Sequence, residues 1–162
     1  MNNSNSDVIT RLKPSLVRRY FAVAIVFTLG LILLILAFNK PPETFGWQVF
    51  LIVLGAGAIW LAETMRRATA IWLELTDEEL RESSGRVLCR IEDIASVERG
   101  AFAFKPSNGF LINLNKRQSR AWAPGMWWRI GNKIGVGGVT SASEGKFMAD
   151  LIAMKLKGES LF

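Results

Sequence analysis

The stretch YFAVAIVFTLGLILLILAF, Tyr20–Phe38, decides the architecture of this chain. It contains 19 residues and no charge. At about 1.5 Å of rise per residue, an α-helix of that length covers roughly 28 Å, close to the hydrocarbon thickness of a bilayer. Asn39-Lys40-Pro41-Pro42 follows it. Proline cannot continue a helix and restricts the residue before it, so the helix stops there. A second apolar stretch, Trp47–Ala62, reads WQVFLIVLGAGAIWLA, and its apolar face continues through Thr64 and Met65. The sequence therefore predicts a two-helix transmembrane hairpin over 20–65, with spans at about 20–38 and 46–65. Tyr20, Phe45, Trp47 and Trp60 stand where an aromatic belt falls at headgroup level. The first run is too long for a cleaved signal peptide and no small-x-small site follows it, which favours an uncleaved anchor. A transit peptide is the other reading of the Ser- and Arg-bearing N-terminus.

Charge orients the hairpin. The 162-residue chain carries a net +6, and its mean hydropathy of +0.24 is concentrated in the two apolar blocks. Residues 1–19 form a basic segment with Arg11, Lys13, Arg18 and Arg19 against Asp7. Arg66 and Arg67 follow the second span, whereas the connecting loop holds only Lys40 and Glu43. Positive residues stay on the cytoplasmic side, so both termini are expected there. The juxtamembrane arginines Arg18, Arg19, Arg66 and Arg67 also suit anionic lipid.

Inside the spans, Gly55-Ala56-Gly57-Ala58 makes a smooth patch and Gly30 a small spot on the first helix. Small residues let helices approach closely, within the hairpin or against another membrane protein. Glu63, near the cytoplasmic end of the second span, is expected to pair with Arg66 or Arg67.

After Arg67 the period changes to two. Ile71, Leu73 and Leu75 alternate with Trp72 and Glu74, as a strand does. Leu80–Ser83 and Arg86–Ile91 flank Ser84-Gly85, a hairpin signal. Val87, Cys89 and Ile91 are expected to share one face, with Cys89 a small core residue. A further strand is expected from about Ser96 to Phe104, before a turn at Pro106-Ser107-Asn108-Gly109. Phe110, Ile112 and Leu114 alternate next. Lys116–Arg120 reads as a basic loop, and Gly131-Asn132 as a tight hairpin returning through Val136. Ser141-Ala142-Ser143-Glu144 fits a capping box, and Phe147, Met148, Leu151 and Ile152 fall at helical spacing. Lys155 and Lys157 suit the C-terminal end of that helix, and Gly158 its termination. The whole reads as a membrane α-helical hairpin followed by an α+β domain over 68–158. That domain has six or seven antiparallel strands and one amphipathic C-terminal helix.

Two phrases carry a resemblance. Leu75-Thr76-Asp77-Glu78-Glu79-Leu80 resembles the first hairpin of bacterial pleckstrin-homology (PH) domains. Arg90-Ile91-Glu92-Asp93-Ile94-Ala95-Ser96-Val97 resembles their segment where a strand ends in a short acidic turn. The layout is similar to small bacterial membrane proteins with a PH-like domain after a helical hairpin. The resemblance implies a small antiparallel β-barrel or sandwich capped by one helix. It also implies a non-enzymatic binding or scaffold role at the bacterial inner membrane.

The residues offer little chemistry. There is no histidine and one cysteine, which removes the commonest general base and metal ligand and any disulfide within the chain. Glu92 and Asp93, adjacent on a turn, do not define an acid–base pair. Gly135-Val136-Gly137-Gly138 has the wrong spacing for a dinucleotide loop and reads as glycines in a crowded strand or bulge. No catalytic residue, metal or cofactor is expected. The unusual stretch is 117–129, where Arg117, Arg120 and Arg129 accompany Trp122, Trp127 and Trp128, with a Pro124-Gly125 turn between. Tryptophan and arginine are favoured at protein interfaces, and tryptophan sits well at the headgroup level. Arg117, Arg120, Trp122, Trp127 and Arg129 are therefore the candidate partner- or lipid-binding residues. The competing reading buries Trp128 with Met126 and Ile130 and packs Trp127 at the domain surface. Single-stranded nucleic acid stands last, and no nucleic-acid partner is expected. The expected function is a membrane-anchored interaction or scaffold module, an accessory subunit beside another membrane protein. The alternative is recognition of anionic headgroups.

Overall fold

A computed structural model describes residues 8–99, 107 and 109–158. Two helices, α1 (Leu16–Asn39) and α2 (Phe45–Ala68), form an antiparallel hairpin. Each has 24 residues, about 36 Å of helix, and is long and apolar enough to cross a membrane. Only 11% of the apolar window of each is buried, so neither is the core helix of a globular domain. Both extend beyond the predicted spans. Pro14-Ser15 sets the start of α1, with the Ser15 carbonyl accepting the Arg19 N–H at 2.9 Å. Arg18 and Arg19 thus lie within its first turns rather than ahead of it. α2 runs on through Arg66 and Arg67, and the Thr69 hydroxyl closes its end on the Met65 carbonyl at 2.7 Å.

The hairpin is tight because both helices present glycine where they cross. A Cβ on Gly30 would lie 2.9 Å from the Gly55 carbonyl oxygen, and one on Gly55 would lie 3.0 Å from the Gly30 carbonyl oxygen. Gln48 Nε2 donates to the Ala37 carbonyl at 3.1 Å across the pair. Thr64 Oγ1 donates to the Trp60 carbonyl at 2.8 Å. These polar side chains therefore have partners within the hairpin.

The main departure from expectation is at the N-terminus. Within the basic N-terminal segment, Thr10–Leu12 forms a strand, β1, that the sequence did not predict. It pairs antiparallel with β2 (Leu73–Leu75), with Arg11 opposite Glu74. The helical hairpin is therefore inserted between two paired strands of one sheet. Leu12 is fully buried in the core with Leu73, Leu75 and Leu80.

β3 (Glu79–Glu82) and β4 (Val87–Arg90) complete a sheet of order β1-β2-β3-β4. The Ser84-Gly85 turn is where the sequence puts it. The face pattern is not: Leu80 opposes Cys89 while Arg81 opposes Val87, so Leu88 is an extra residue in the ladder. Such a bulge lets consecutive residues point inward. Leu88 and Cys89 are both buried, and Val87 faces out. One 3-10 turn, Ile91–Asp93, leads into β5 (Ile94–Glu98). The expected continuation to Phe104, and Pro106 and Asn108 of the predicted turn, lie outside the described residues.

β5 pairs with β6 (Phe110–Ala123), and β6 with β7 (Trp127–Val136), in a second antiparallel sheet. The predicted basic loop Lys116–Arg120 is part of β6. The hairpin turns at Pro124-Gly125-Met126, not at Gly131-Asn132, and the Met126 N–H reaches the Ala123 carbonyl at 3.0 Å. Gly131, at φ +62°, instead sits opposite Gln118 where the register slips on both sides. This irregularity bends the long hairpin back on itself, and the Gly137 N–H reaches the Met126 carbonyl at 2.8 Å. A Cβ on Gly135 would lie 2.4 Å from Trp128 Cε2, which is why that strand position is glycine.

α3 (Ala142–Leu156) contributes Met148 and Ile152 to the core beneath both sheets. The capping box does not form. Ser141 makes no side-chain cap bond, and Glu144 Oε2 accepts the Lys13 N–H at 2.9 Å instead. The carboxylate thereby ties α3 to the N-terminal strand. Lys155 Nζ reaches Asp77 Oδ1 at 2.5 Å. Among the described residues, the strands form two sheets and no closed barrel.

Candidate functional site

The β-domain rests on the base of the hairpin through several specific contacts. The Ser15 N–H donates to the Val139 carbonyl at 2.8 Å, and the Val139 N–H to the Gly125 carbonyl at 3.0 Å. A Cβ on Gly125, which is at φ +82°, would lie 2.8 Å from Met65 Cε and 3.1 Å from Thr69 Cγ2. The β6–β7 turn is thus pressed against the last turn of α2. Arg18 Nη1 donates to the Thr140 carbonyl at 3.0 Å, and Arg19 Nη2 to the Arg66 carbonyl at 3.1 Å. Arg66 and Arg67 meet Glu63 at 2.7 and 2.6 Å, as expected from their helical spacing. Two of these four arginines at the base of the hairpin therefore join helix to helix or helix to domain. The other two share one carboxylate.

The 117–129 segment divides in two. Trp127 is 2% exposed, and its indole Nε1–H donates to Glu82 Oε1 at 2.8 Å. Ser84 Oγ donates to Glu82 Oε2 at 2.8 Å, so this buried carboxylate is satisfied at both oxygens. The Arg86 guanidinium covers the outer face of the Trp127 ring at 5.1 Å. Arg129 is also buried. It donates to the Leu88 carbonyl at 2.6 Å, Gln118 Oε1 at 2.9 Å and the Ser119 carbonyl at 2.9 Å. It thereby satisfies carbonyls that the two ladder irregularities leave open. Burial, with Arg86 nearby, pulls its pKa below the usual arginine value. Trp127 and Arg129 are structural residues withdrawn from the surface, which corrects their place among the binding candidates.

Trp122, Arg117 and Arg120 remain exposed, Trp122 at 54%. Trp122 faces Trp128 across the ladder, and Ile130, at 50% exposure, extends the same outward face. The alternation of Met126, Trp128 and Ile130 is real only in part, because Trp128 and Ile130 point away from the core. The sequence names Ile130 only as a buried companion of Trp128, whereas it lies on the exposed face. The Pro124-Gly125 turn expected from the sequence is where β6 turns into β7, and alternation counted from it puts Trp127 inside and Ile130 outside. Trp72, read from the sequence only as an alternating strand position, is 36% exposed just beyond α2, and its Nε1–H donates to Glu74 Oε1 at 3.0 Å. That bond, with Arg11 and Arg81 close by, holds the Glu74 carboxyl below the usual range.

The glycine patch divides as well. Gly55 is buried against α1, whereas Ala56 and Gly57 are exposed and Ala58 is half-buried. A Cβ on Gly57 would meet nothing within 4 Å. Cys89 is buried and burial pushes its thiol up to about 12, so it is not a thiolate at neutral pH. An open cleft of about 620 Å³ is lined by Asp77, Glu78, Glu79, Arg90, Ile91 and Glu92. Among the described residues, no three His, Cys, Asp or Glu side chains gather as a metal site. Comparison with protein-family models, curated proteins and solved structures returns no match.

Proposed function

We propose that this chain is a non-catalytic, membrane-anchored interaction module of the bacterial inner membrane, with a PH-like domain in the cytoplasm. It would serve as an accessory or assembly subunit beside another membrane protein. One observation carries this reading: the helical hairpin is inserted between β1 and β2 and locked to the domain by Arg18, Ser15 and Gly125. A mere tether needs no such junction. A fixed junction presents the domain and the lipid-facing helix surface to a neighbour in one orientation. The pairing of β1 with β2 requires both ends of the hairpin to lie on one side of a membrane. The arginines at that end argue for the cytoplasmic side. The partner-facing positions are Arg117, at the exposed bend of β6, and Ala56 and Gly57 on the outward face of α2.

A photo-crosslinking residue in place of Arg117 or Ala56, in the full chain in its native membrane, tests this. The expected result is an adduct with one other membrane protein from at least one position. Adducts with lipid alone, or none, at both positions contradict the reading. A second reading, recognition of anionic headgroups, is favoured by Arg18 and Arg19. Their guanidinium hydrogens go to carbonyls, which leaves their charge unneutralised by those bonds.

A further inference from the structure

We propose that the outward face of the β6–β7 hairpin, centred on Trp122, rests in the headgroup layer of an anionic leaflet. It is the leaflet reached by the Arg-bearing ends of α1 and α2. The inference rests on the reading of those helices as membrane spans.

Depth comes first. Phe45 to Met65 is about 31 Å of helix, which matches a hydrocarbon core of about 30 Å and puts Met65 at its edge. Arg66 and Arg67 then begin the headgroup layer. Gly125 packs on Met65 and Thr69, so the β6–β7 turn lies at that level. Trp122 is three positions from Gly125, within about 10 Å along the strand. It therefore cannot be far from the lipid boundary.

Chemistry comes second. Trp122 keeps more than half of its surface exposed although the core is one residue away on either side, at Ala121 and Ala123. It opposes Trp128 on the ladder, and the Trp128 ring is packed over Gly135, so the ladder fixes the face that carries Trp122. Ile130 lies on that face two positions beyond Trp128, and Arg120 two positions before Trp122. An amphipathic indole, an aliphatic side chain and a guanidinium side by side match the interface of a bilayer. The nearby charge has the right sign. Arg18 and Arg19 direct guanidinium hydrogens to the carbonyls of Thr140 and Arg66, so those bonds bring no counter-charge. The surface is also continuous with the lipid-facing helices at Met65. These points commit it to the bilayer rather than to a soluble partner.

The test uses nitroxide labels on single cysteines in the full chain, in a Cys89→Ala background. The chain is reconstituted into phosphatidylcholine vesicles with or without one quarter phosphatidylglycerol. Trp122→Cys and Ile130→Cys report the proposed face; the second keeps Trp122 in place should its loss disturb the seat. Leu31→Cys reports the middle of α1, and Asn132→Cys the exposed bend of β7. With anionic lipid, positions 122 and 130 should resist a water-soluble nickel relaxant several-fold better than position 132. Removal of the anionic lipid should weaken that protection. Nickel accessibility at 122 and 130 equal to that at 132, with position 31 dry, overturns the proposal and leaves the membrane reading intact. A water-accessible position 31 overturns both. Protection at 122 with spin–spin broadening between copies assigns the face to a second chain and also overturns the proposal.

Discussion

A Leu12→Asp substitution is expected to unfold the β-domain while the two apolar helices still insert into a membrane. Leu12 has no exposed surface and lies among Leu73, Leu75, Leu80 and Met148. Truncating such a leucine to alanine costs about 2–5 kcal/mol. A carboxylate there would add the penalty of an unpaired buried charge. Domains of this size have total stabilities of only about 5–15 kcal/mol. The residues flanking β1 also donate the Ile9 N–H to the Leu75 carbonyl at 2.9 Å and the Lys13 N–H to Glu144. Loss of β1 therefore loosens the first sheet and the start of α3 together. The same logic holds for fragments. A chain beginning at Thr69 lacks β1 and should not fold, although it contains all the other strands. Residues 8–15 joined to 69–158 by a short glycine-serine linker should fold without a membrane. Hydrogen exchange at Leu75 and Leu80 in the three proteins checks this. Native protection in the fragment that starts at Thr69 would refute it.

Trp127→Ala should be the most damaging single change in the second sheet. The ring is fully packed, and removal of a buried tryptophan costs about 3–5 kcal/mol. It also orphans Glu82 Oε1 in a site where Glu82 is 5% exposed. Trp127→Phe keeps most of the volume and loses the hydrogen bond, so it should cost about 1–3 kcal/mol. Trp122→Ala, on the exposed side of the same hairpin, should change stability in detergent by about 0.5 kcal/mol or less. Denaturant midpoints of the three variants give the order directly. A Trp122→Ala effect as large as that of Trp127→Ala would mean that the inward and outward faces of the β6–β7 hairpin are assigned the wrong way round.

The parts of this molecule that were legible in sequence are those fixed by long, uniform patterns. An uncharged run from Tyr20 to Phe38, ended by Pro41-Pro42, reads as one long apolar helix, and α1 contains it. The Ser84-Gly85 turn and the amphipathic α3 also follow from local chemistry. Short or irregular features were not legible. Thr10-Arg11-Leu12 is too brief to show a period, and its partner strand lies beyond both spans. Leu88 and Gly131 sit at irregularities of the ladder. One shifts a hydrophobic face, and the other imitates a hairpin turn, because positive φ at glycine serves both uses. Trp127 and Trp128 are adjacent, so composition cannot say which is inside. The turn at Pro124-Gly125 decides that, and Glu82, 45 residues away, confirms it with a hydrogen bond. Glu144 shows the same limit: its helical position suits a cap, but tertiary structure gives it Lys13.

The insertion of the hairpin between paired strands can be tested by one disulfide. Arg11 and Glu74 are directly opposed on β1 and β2, and antiparallel partners lie about 4.5–5.5 Å apart at Cα, within disulfide reach. An Arg11→Cys, Glu74→Cys chain in a Cys89→Ala background, with a protease site placed between Pro42 and Glu43, is oxidised in the membrane and then cut. The account predicts that the two halves stay joined until a reductant is added, while an Arg11→Cys, Arg90→Cys control separates at once. Separation of the Arg11–Glu74 pair under oxidising conditions, with both cysteines accessible to labelling, would contradict it.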